Sequence, residues 1–378
     1  MEKIKILAVI DHLGKGGAER QFINLVNNLN KEIFEVHVFI TERPGERFNE
    51  LSSDIKTYGF LRSDKRKTLD ALRLLRRTII AINPSIVQTW LDYSTFITAL
   101  ALKTTAMKIK FVASHRTSTE ELYNSEVSFG KIKKSLLVWA YKQACAVTTN
   151  SKVLVEQLHS YGITRARLIY NGLDLVKHAG TPSRGELRKK LGLVDNIFYI
   201  AFVGALVERK GIRHLVQAIK NLNRHDCKAL IIGDGPLRDT VNELTRDDER
   251  FFVAGHQPNA IEYIKASNLL VLPSFYEGLP NVIIEAMAVG TPVIATNIYG
   301  IPELIEDGIN GRLVPVKDSG SITSAIQFMY DDPAIAESYA EASRKRSQFF
   351  SIERMVQEYE GLYSGLLQLE ISQAGSQG

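Results

Sequence analysis

Two glutamates stand out in the stretch PSFYEGLPNVIIEAMAVGTPVIAT, residues 273–296. The pattern predicts a strand end, a tight loop, a short apolar helix that begins near Pro280, and a second strand. Glu277 then lies in the loop and Glu285 in the helix. The small residues before the helix let a backbone come close to a ligand, and free N–H groups at a helix start suit an anion such as a diphosphate. The stretch therefore indicates an anion site flanked by two carboxylates.

Two glycine-rich turns also follow predicted strands. The first, GKGGAE at residues 14–19, precedes a helix, but Glu19 stands where the dinucleotide pattern G-x-G-x-x-G requires glycine, and no Gly-Lys-Ser/Thr of a P-loop is present. The second, Gly233-Asp234-Gly235-Pro236, has Arg238 at the corresponding position. NAD or ATP binding of these standard kinds is therefore disfavoured, and each turn taken alone is as readily structural as phosphate-binding.

Metal, hydrolase and disulfide chemistry have little support in the sequence. The eight histidines form no H-x-x-x-H or H-x-H pair, and neither Asp-x-Asp nor the G-x-S-x-G elbow of Ser hydrolases occurs. Cys145 and Cys227 have no metal-like or redox-like spacing, which favours a reducing compartment. We therefore expect neither a bound metal nor a disulfide.

The elements that position these residues alternate between strand-like and helix-like runs in both halves of the chain. The 378 residues suggest two domains, and a polar, turn-rich segment over residues 176–193 is the candidate connection. We predict an α/β fold with two doubly wound parallel sheets. The predicted divisions are residues 1–176, residues 177–349, a final helix over residues 350–370 and a disordered tail over residues 371–378. The start, MEKIKILAVI, is interpreted as the first strand and not as a signal peptide.

Positive charge is concentrated in the first half. Residues 1–180 hold 27 Lys+Arg against 17 Asp+Glu, and much of this excess lies in Lys65-Arg66-Lys67, in Arg73 to Arg77 and in the segment Phe129–Ala144. That segment has apolar residues at helical spacing and could lie on an anionic membrane surface. A solvated helix packed by its apolar stripe is the other interpretation. Nucleic acid is disfavoured because no recognition motif accompanies the charge.

With these motifs in view, the chain resembles the family 4 glycosyltransferases over nearly all its length. Glu277 and Glu285 resemble the E-x₇-E signature of that family, and four further segments occur in the family's order. They are Gly16-Gly17-Ala18-Glu19, Asn171-Gly172-Leu173-Asp174, Lys210-Gly211 and Gly233-Asp234-Gly235. The resemblance implies the GT-B fold, in which two Rossmann-like domains face a cleft and the last helix crosses back to the first domain.

The resemblance also implies roles for particular residues. Glu285 would accept hydrogen bonds from the donor's ribose, Glu277 would lie by the donor sugar, and Lys210 would neutralise the leaving diphosphate. His115 would lie near the reaction centre, and Arg116 is a candidate on the acceptor side. The other positions implied to bind the donor are Gly16, Gly17, Gly233, Gly278, Leu279, Asn281 and Val282.

One position departs from the family pattern. Where the family commonly has Gly-Arg before its Lys-Gly, this chain has Gly204-Ala205, so the second cation for the diphosphate is missing. We hypothesise that Arg209, which is adjacent to Lys210, partly replaces it.

The expected activity is retaining, metal-independent transfer of a sugar from a nucleoside diphosphate sugar, a UDP- or GDP-sugar, to an acceptor hydroxyl. Cell-surface polysaccharide or glycolipid assembly is the expected setting, with a lipid-linked glycan acceptor and a cytoplasmic location at the inner membrane face. No cofactor besides the sugar donor and no nucleic acid partner are expected. Two alternatives stay open: a nucleotide-sugar epimerase of the same fold, and a non-catalytic nucleotide-sugar-binding subunit.

Overall fold

The computed structural model describes residues 2–60, 68–117 and 128–375. The chain forms two compact units. Unit 1 comprises Met1–Gly172 and Ile352–Gly378, and unit 2 comprises Leu173–Ser351. The first unit therefore includes the last helix of the chain, and the divisions fall within a few residues of those expected from the sequence.

Unit 1 is built on a parallel sheet whose strand order in the described residues is β3-β2-β1-β4-β5-β6-β7. Its central strands are buried on both faces, as the apolar run ILAVI of the first strand requires when helices cover a parallel sheet. The strands are β1 (Ile4–His12), β2 (Phe34–Arg43), β3 (Lys56–Gly59), β4 (Ile86–Trp90), β5 (Lys110–His115), β6 (Ala146–Thr149) and β7 (Ala166–Leu168).

The helices of unit 1 pack on this sheet. They are α1 (Gly17–Asn28), α2 (Thr68–Ile82), α3 (Asp92–Lys103), α4 (Ser128–Gln143), α5 (Lys152–Ser160) and, at the end of the chain, α15 (Ile352–Gly375). Met355, Val356, Tyr359 and Tyr363 of α15 are buried in the core of unit 1. The last helix thus packs on the first domain, as the resemblance implies. It extends to Gly375, past the start of the predicted tail.

Unit 2 repeats the architecture with the strand order β10-β9-β8-β11-β12-β13. Its strands are β8 (Phe198–Val203), β9 (Cys227–Ile232), β10 (Phe251–Gly255), β11 (Leu269–Leu272), β12 (Val293–Thr296) and β13 (Arg312–Val314). Its helices are α6 (Leu175–Ala179), α7 (Arg184–Leu191), α8 (Ile212–Asn221), α9 (Arg238–Thr245), α10 (Ala260–Ala266), α11 (Asn281–Val289), α12 (Ile301–Leu304), α13 (Ser319–Asp331) and α14 (Pro333–Ser347).

The sheet orders confirm the prediction of two doubly wound parallel sheets. In each sheet the chain reverses its direction of strand addition at one place, between β1 and β4 in unit 1 and between β8 and β11 in unit 2. Ligands of such folds bind beside the carboxyl ends of the strands at this switch point. Both the Gly14–Glu19 turn after β1 and the residues 273–280 after β11 lie at such ends.

Two observations concern the expectation that basic segments of the chain contact a membrane. In the part of the chain that the structure describes, no helix has the length and apolarity needed to cross a bilayer. The basic residues Lys65, Arg66 and Lys67 lie outside the described residues.

Candidate functional site

Two loops at the switch point of unit 2 are held together by a close backbone approach. Gly211 follows the short 3-10 turn Glu208–Lys210 and has φ of 65°. A β-carbon on Gly211 would lie 2.0 Å from the carbonyl oxygen of Pro273, so only glycine fits here. The N–H of Phe275 also donates to the carbonyl of Arg209 at 2.7 Å. The loop after β8 and the loop after β11 are therefore joined along their backbones.

This junction brings Lys210 and Glu277 together. Lys210 Nζ forms an ion pair with Glu277 Oε1, and their side chains are only 12% and 9% exposed. Arg209 Nη1 lies 3.7 Å from Glu277 Oε2, and the Arg209 side chain is 38% exposed. Two cations thus flank one carboxylate, which leaves this cluster with a net positive charge. A phosphorylated ligand would meet Lys210 with little solvent screening, whereas the more exposed Arg209 is screened more strongly.

Glu277 also accepts a hydrogen bond from a buried hydroxyl. Ser274 Oγ donates to Glu277 Oε1 at 2.8 Å, and the carbonyl of Ser274 accepts from Thr296 Oγ1 at 2.5 Å. Sequence reasoning missed both hydroxyl residues. The signal was their position at the carboxyl ends of β11 and β12, which are neighbouring strands.

The second glutamate of the E-x₇-E pair lies in helix α11. Pro280 is the N-cap of α11 and no side chain caps it among the described residues. The predicted helix start near Pro280 is therefore confirmed. Glu285 is 5% exposed, so it is not the solvated helix charge that a purely structural interpretation would require.

The loop residues before α11 differ in exposure. Leu279 is buried, whereas Gly278, Asn281 and Val282 are half-buried. The structure thus places the four predicted backbone positions in and directly after the loop that carries Glu277.

Gly233 has a packing role in this structure. It adopts φ of 147°, and a β-carbon on it would lie 1.8 Å from the carbonyl oxygen of Gly204. Its N–H already donates to the carbonyl of Gly255 at 2.8 Å. The glycine therefore allows the loop after β9 to approach the loop after β8, and its amide is not available to a donor molecule.

In unit 1, the glycine-rich turn after β1 surrounds a buried glutamate. Gly16 is the N-cap of α1, and a β-carbon on it would lie 2.2 Å from Glu19 Oε2. Glu19 is 7% exposed, and its Oε1 lies 3.4 Å from His12 Nδ1. Gly16 and Gly17 thus begin helix α1, and the space at Gly16 is filled by the side chain of Glu19.

His115 lies at the end of β5, as predicted, but its side chain is enclosed by protein groups. It is 1% exposed, with Nδ1 3.2 Å from Tyr141 Oη and Nε2 3.1 Å from Gln157 Oε1. Burial lowers the pKa of His115, which favours the neutral imidazole. The side chain is thus enclosed at the end of β5, and the expectation that His115 lies near the reaction centre stays a prediction.

Arg116 likewise contacts protein groups in unit 1. Its guanidinium stacks over Trp90 at 4.1 Å and donates to Tyr359 Oη of helix α15 and, at 3.3 Å, to Asn171 Oδ1. It is 8% exposed, and burial lowers its pKa. Arg116 thus ties the last helix to the sheet of unit 1, and its expected place on the acceptor side stays a prediction.

Sequence reasoning also missed Asp11 at the carboxyl end of β1. Its Oδ1 accepts from the N–H of Ser94 at 2.6 Å and from Thr41 Oγ1 at 3.4 Å. Burial raises the pKa of Asp11 to about 7, an effect that the Ser94 hydrogen bond opposes. The only signal in the sequence was a carboxylate directly after the first apolar strand.

The described residues contain no group of three or more His, Cys, Asp or Glu side chains that could hold a metal ion. The metal-independent reaction inferred from the sequence stays a prediction.

Comparison with known proteins places this geometry in a family. The model described as Glycosyltransferase Family 4 matches residues 15–177, and the model described as Glycosyl transferases group 1 matches residues 183–346. A 4-alpha-N-acetylgalactosaminyltransferase of Campylobacter jejuni, whose name includes a diphospho-undecaprenol-linked sugar, is 26% identical over 93% of this chain and 96% of its own length. Alpha-D-kanosaminyltransferase of Streptomyces kanamyceticus is 35% identical over 46% of this chain and 47% of its own length.

The matched region spans about half the length of several curated relatives. Among solved structures, HepE of Anabaena in complex with UDP superposes with a TM-score of 0.82 at 22% identity, covering 96% of this chain and 100% of HepE. This likeness shows the GT-B fold. The two family models together account for most of the chain, and the resemblance noted in the sequence is confirmed: the protein belongs to the family 4 glycosyltransferases.

Proposed function

We propose that the protein is a retaining glycosyltransferase that moves a sugar from a nucleoside diphosphate sugar to an acceptor hydroxyl. The observation that carries the proposal is the cluster of Lys210, Arg209 and Glu277 beside the start of helix α11. The cluster combines two cations, which suit a diphosphate, with one carboxylate, which suits a sugar hydroxyl. The fold relative HepE has been solved with UDP and with UDP-glucose, which supports a nucleotide-sugar donor.

In this proposal, unit 2 binds the donor. The diphosphate takes Lys210 and Arg209 as counter-cations and the N–H groups after Pro280 as donors, and electrostatic stabilisation of the leaving diphosphate drives the reaction. Glu285 accepts hydrogen bonds from the ribose, for which its buried position on α11 is suitable. Glu277 holds a hydroxyl of the sugar. The proposal gives His115 and Arg116 no substrate contact, because both side chains are enclosed by protein groups.

The departure at Ala205 also fits this picture. Ala205 is exposed in the turn after β8. Because it is an alanine, this position supplies no charged side chain for the diphosphate. Arg209 instead reaches the carboxylate that pairs with Lys210 and stacks near the ring of Tyr276 at 5.5 Å. Adjacent side chains need not point together, but here both cations converge on Glu277. This convergence supports the hypothesis that Arg209 partly replaces the missing arginine.

The acceptor we propose is a lipid-linked glycan at an anionic membrane surface. Helix α4 exposes Ile132 and Leu136, 56% and 43% exposed, beside the exposed Lys131 and Lys133. The interpretation of α4 as a solvated helix requires its apolar side chains to be buried against the protein. Leu137 is buried in this way, but Ile132 and Leu136 are not. Apolar and basic residues that share an exposed helix surface favour binding to anionic lipid. The name of the Campylobacter relative, which includes a diphospho-undecaprenol, supports the same class of acceptor.

Binding of vesicles tests this part of the proposal. Replacing Lys131, Lys133 and Lys134 by glutamine should abolish co-sedimentation with vesicles that contain anionic phospholipid. A matched triple replacement of the exposed unit 2 residues Lys177, Lys189 and Lys220 removes the same charge and should leave binding intact. Equal losses in the two triple variants would show a general charge effect and contradict the role of helix α4.

The donor is tested by a thermal-shift panel of UDP, GDP, ADP and CDP and their common sugars. A ligand present at about 100 times its dissociation constant stabilises the folded protein by about 2.7 kcal/mol. We expect one base to give a clear shift, with the sugar nucleotide at least as effective as its diphosphate. An epimerase would convert the sugar nucleotide without any acceptor, and a panel with no shift would contradict donor binding.

A further inference from the structure

We propose that Ser274 and Thr296 are positioning residues that fix the carboxylate of Glu277, and that Ser274 retains it when Lys210 turns to a bound diphosphate. The inference rests on the proposed function, because it assigns a task to the donor site. It adds two hydroxyl residues near the two ends of the stretch 273–296, which are joined by a hydrogen bond from Thr296 to the carbonyl of Ser274.

The geometry is a chain of two hydrogen bonds that ends at the carboxylate. Thr296 Oγ1 donates to the carbonyl of Ser274 at 2.5 Å, and Ser274 Oγ donates to Glu277 Oε1 at 2.8 Å. The side chains of Ser274 and Thr296 are 0% exposed. Thr296 belongs to β12 and Ser274 follows the adjacent strand β11. The Thr296 bond therefore fixes the backbone from which the Ser274 hydroxyl reaches the carboxylate.

Lys210 and Ser274 both donate a hydrogen bond to Glu277 Oε1, and a bound diphosphate should affect these two bonds differently. Lys210 carries its charge on a flexible side chain, and its Nζ pairs with Glu277 Oε1. Arg209 Nη1 lies 3.7 Å from Glu277 Oε2. A diphosphate attracts both cations and draws them from Glu277. The hydroxyl of Ser274 is neutral and held within the fold, so it stays. It keeps Glu277 oriented without neutralising the negative charge that the sugar site uses.

This arrangement separates donor binding from turnover. In Ser274→Ala, the cations for the diphosphate are unchanged, so the dissociation constant of UDP should stay within about threefold of the wild-type value. Once Lys210 has turned to the diphosphate, Glu277 has lost its remaining anchor, so kcat with UDP-glucose should fall about tenfold. Thr296→Val should reduce kcat in the same direction, and Thr296→Ser, which keeps the hydroxyl, should restore it.

The chain offers a matched control. Thr291 precedes β12, is 0% exposed, and donates from Oγ1 to the carbonyl of Ile264 at 2.9 Å. Thr291→Val therefore removes the same kind of buried bond from the other end of the same strand. It should destabilise the protein about as much as Thr296→Val and leave kcat unchanged. Equal losses of kcat in the two valine variants would show that Thr296 acts only through stability, which would overturn its positioning role.

A double-mutant cycle between Ser274→Ala and Glu277→Ala decides whether the serine acts through the carboxylate. Residues that act through one contact have non-additive effects. We expect Ser274→Ala to lower kcat in the wild type and to have no further effect in Glu277→Ala. An undiminished effect in the Glu277→Ala background would overturn the proposal.

The same four proteins also give a ligand-free cycle in their urea unfolding. We expect the two substitutions to be coupled in stability, because both remove the same hydrogen bond, and additive effects would overturn the proposed contact. If wild-type protein turns over no sugar nucleotide of the UDP, GDP, ADP and CDP panel while this coupling is found, the proposed function fails and the hydrogen-bonded anchor stands. Failure of the anchor and failure of the enzyme are thus distinguished.

Discussion

Lys210 and Glu277 form a largely buried ion pair although 67 positions separate them in the chain. They meet because β8 and β11 are neighbours at the switch point of the sheet, and because Gly211 lets the two following loops touch. A diphosphate that binds Lys210 must therefore compete with Glu277. The cation and the carboxylate of the proposed donor site are one coupled unit, and substitutions of either should be interpreted together.

The first prediction concerns the two cations. Lys210→Ala should weaken UDP binding 10- to 100-fold, because a charge-assisted contact to phosphate is lost and Glu277 is left with less compensation. Arg209→Ala should weaken it about threefold, since its side chain is more exposed. Calorimetric titration with UDP measures both effects.

The control for this comparison is Arg213→Ala. Arg213 pairs with Glu208 at 3.2 Å and is 44% exposed, so its loss should not change UDP binding. If Arg209→Ala leaves affinity and turnover unchanged while Lys210→Ala lowers both, Arg209 does not replace the missing arginine.

The second prediction is a gain of affinity. Ala205 is exposed and stands where the family commonly has arginine, so Ala205→Arg should tighten UDP binding five- to tenfold, about 1 kcal/mol. Ala205→Gln supplies a side chain of similar reach without the charge and should leave the dissociation constant near the wild-type value. Equal gains in both variants would mean that packing, and not charge, is responsible.

The third prediction concerns Glu285. Glu285→Gln keeps the shape of the buried side chain but replaces a carboxylate oxygen by an NH₂ donor, so the ribose hydroxyls lose an acceptor. We expect the donor KM to rise about tenfold and kcat to change less. Steady-state kinetics with varied donor measure this, and an effect confined to kcat would contradict the ribose role.

The fourth prediction is a pH dependence of stability. The pKa of Asp11 is about 7 in the folded protein against its ordinary 3.8, because the carboxyl is buried beside Glu42 and Asp92. Between these values the folded protein binds a proton that the unfolded chain has lost. The contribution of Asp11 to the free energy of unfolding therefore falls as pH rises from about 4 to 7, by about 4 kcal/mol.

Asp11→Asn removes this titration and keeps an acceptor for the N–H of Ser94. The variant should match the wild type near pH 4 in urea denaturation and become more stable than it as pH rises, with a constant difference above pH 8. A stability difference that does not vary with pH would show that Asp11 does not titrate in this range.

The fold could be predicted from the sequence because it depends on local patterns, whereas the roles of the site residues stay predictions. The succession of strand-like and helix-like runs predicts the two sheets, and the order of the short motifs along the chain carries the family resemblance. The pairing of Lys210 with Glu277 could not be predicted, because it depends on which strands are adjacent after the switch point. The Ser274 and Thr296 contact depends on the same adjacency.

Burial was the other property that local patterns did not predict. The end of β5 was placed correctly, yet the enclosure of His115 by Tyr141 and Gln157 comes from helices that follow it in the chain. In helix α4 the apolar spacing was recognised, but spacing does not say which side is covered, and Ile132 and Leu136 proved exposed. Tertiary packing decides both cases.

The most direct test of the central claim is transfer of radiolabelled sugar from UDP-glucose, GDP-mannose and related donors to a lipid extract that contains polyprenyl diphosphate-linked glycans. We expect one donor to label the lipid fraction with release of its nucleoside diphosphate, the new bond to keep the donor's anomeric configuration, and Lys210→Ala to abolish labelling while Thr291→Val does not. Conversion of the donor to a new sugar nucleotide without acceptor, or an inverted linkage, would contradict the account.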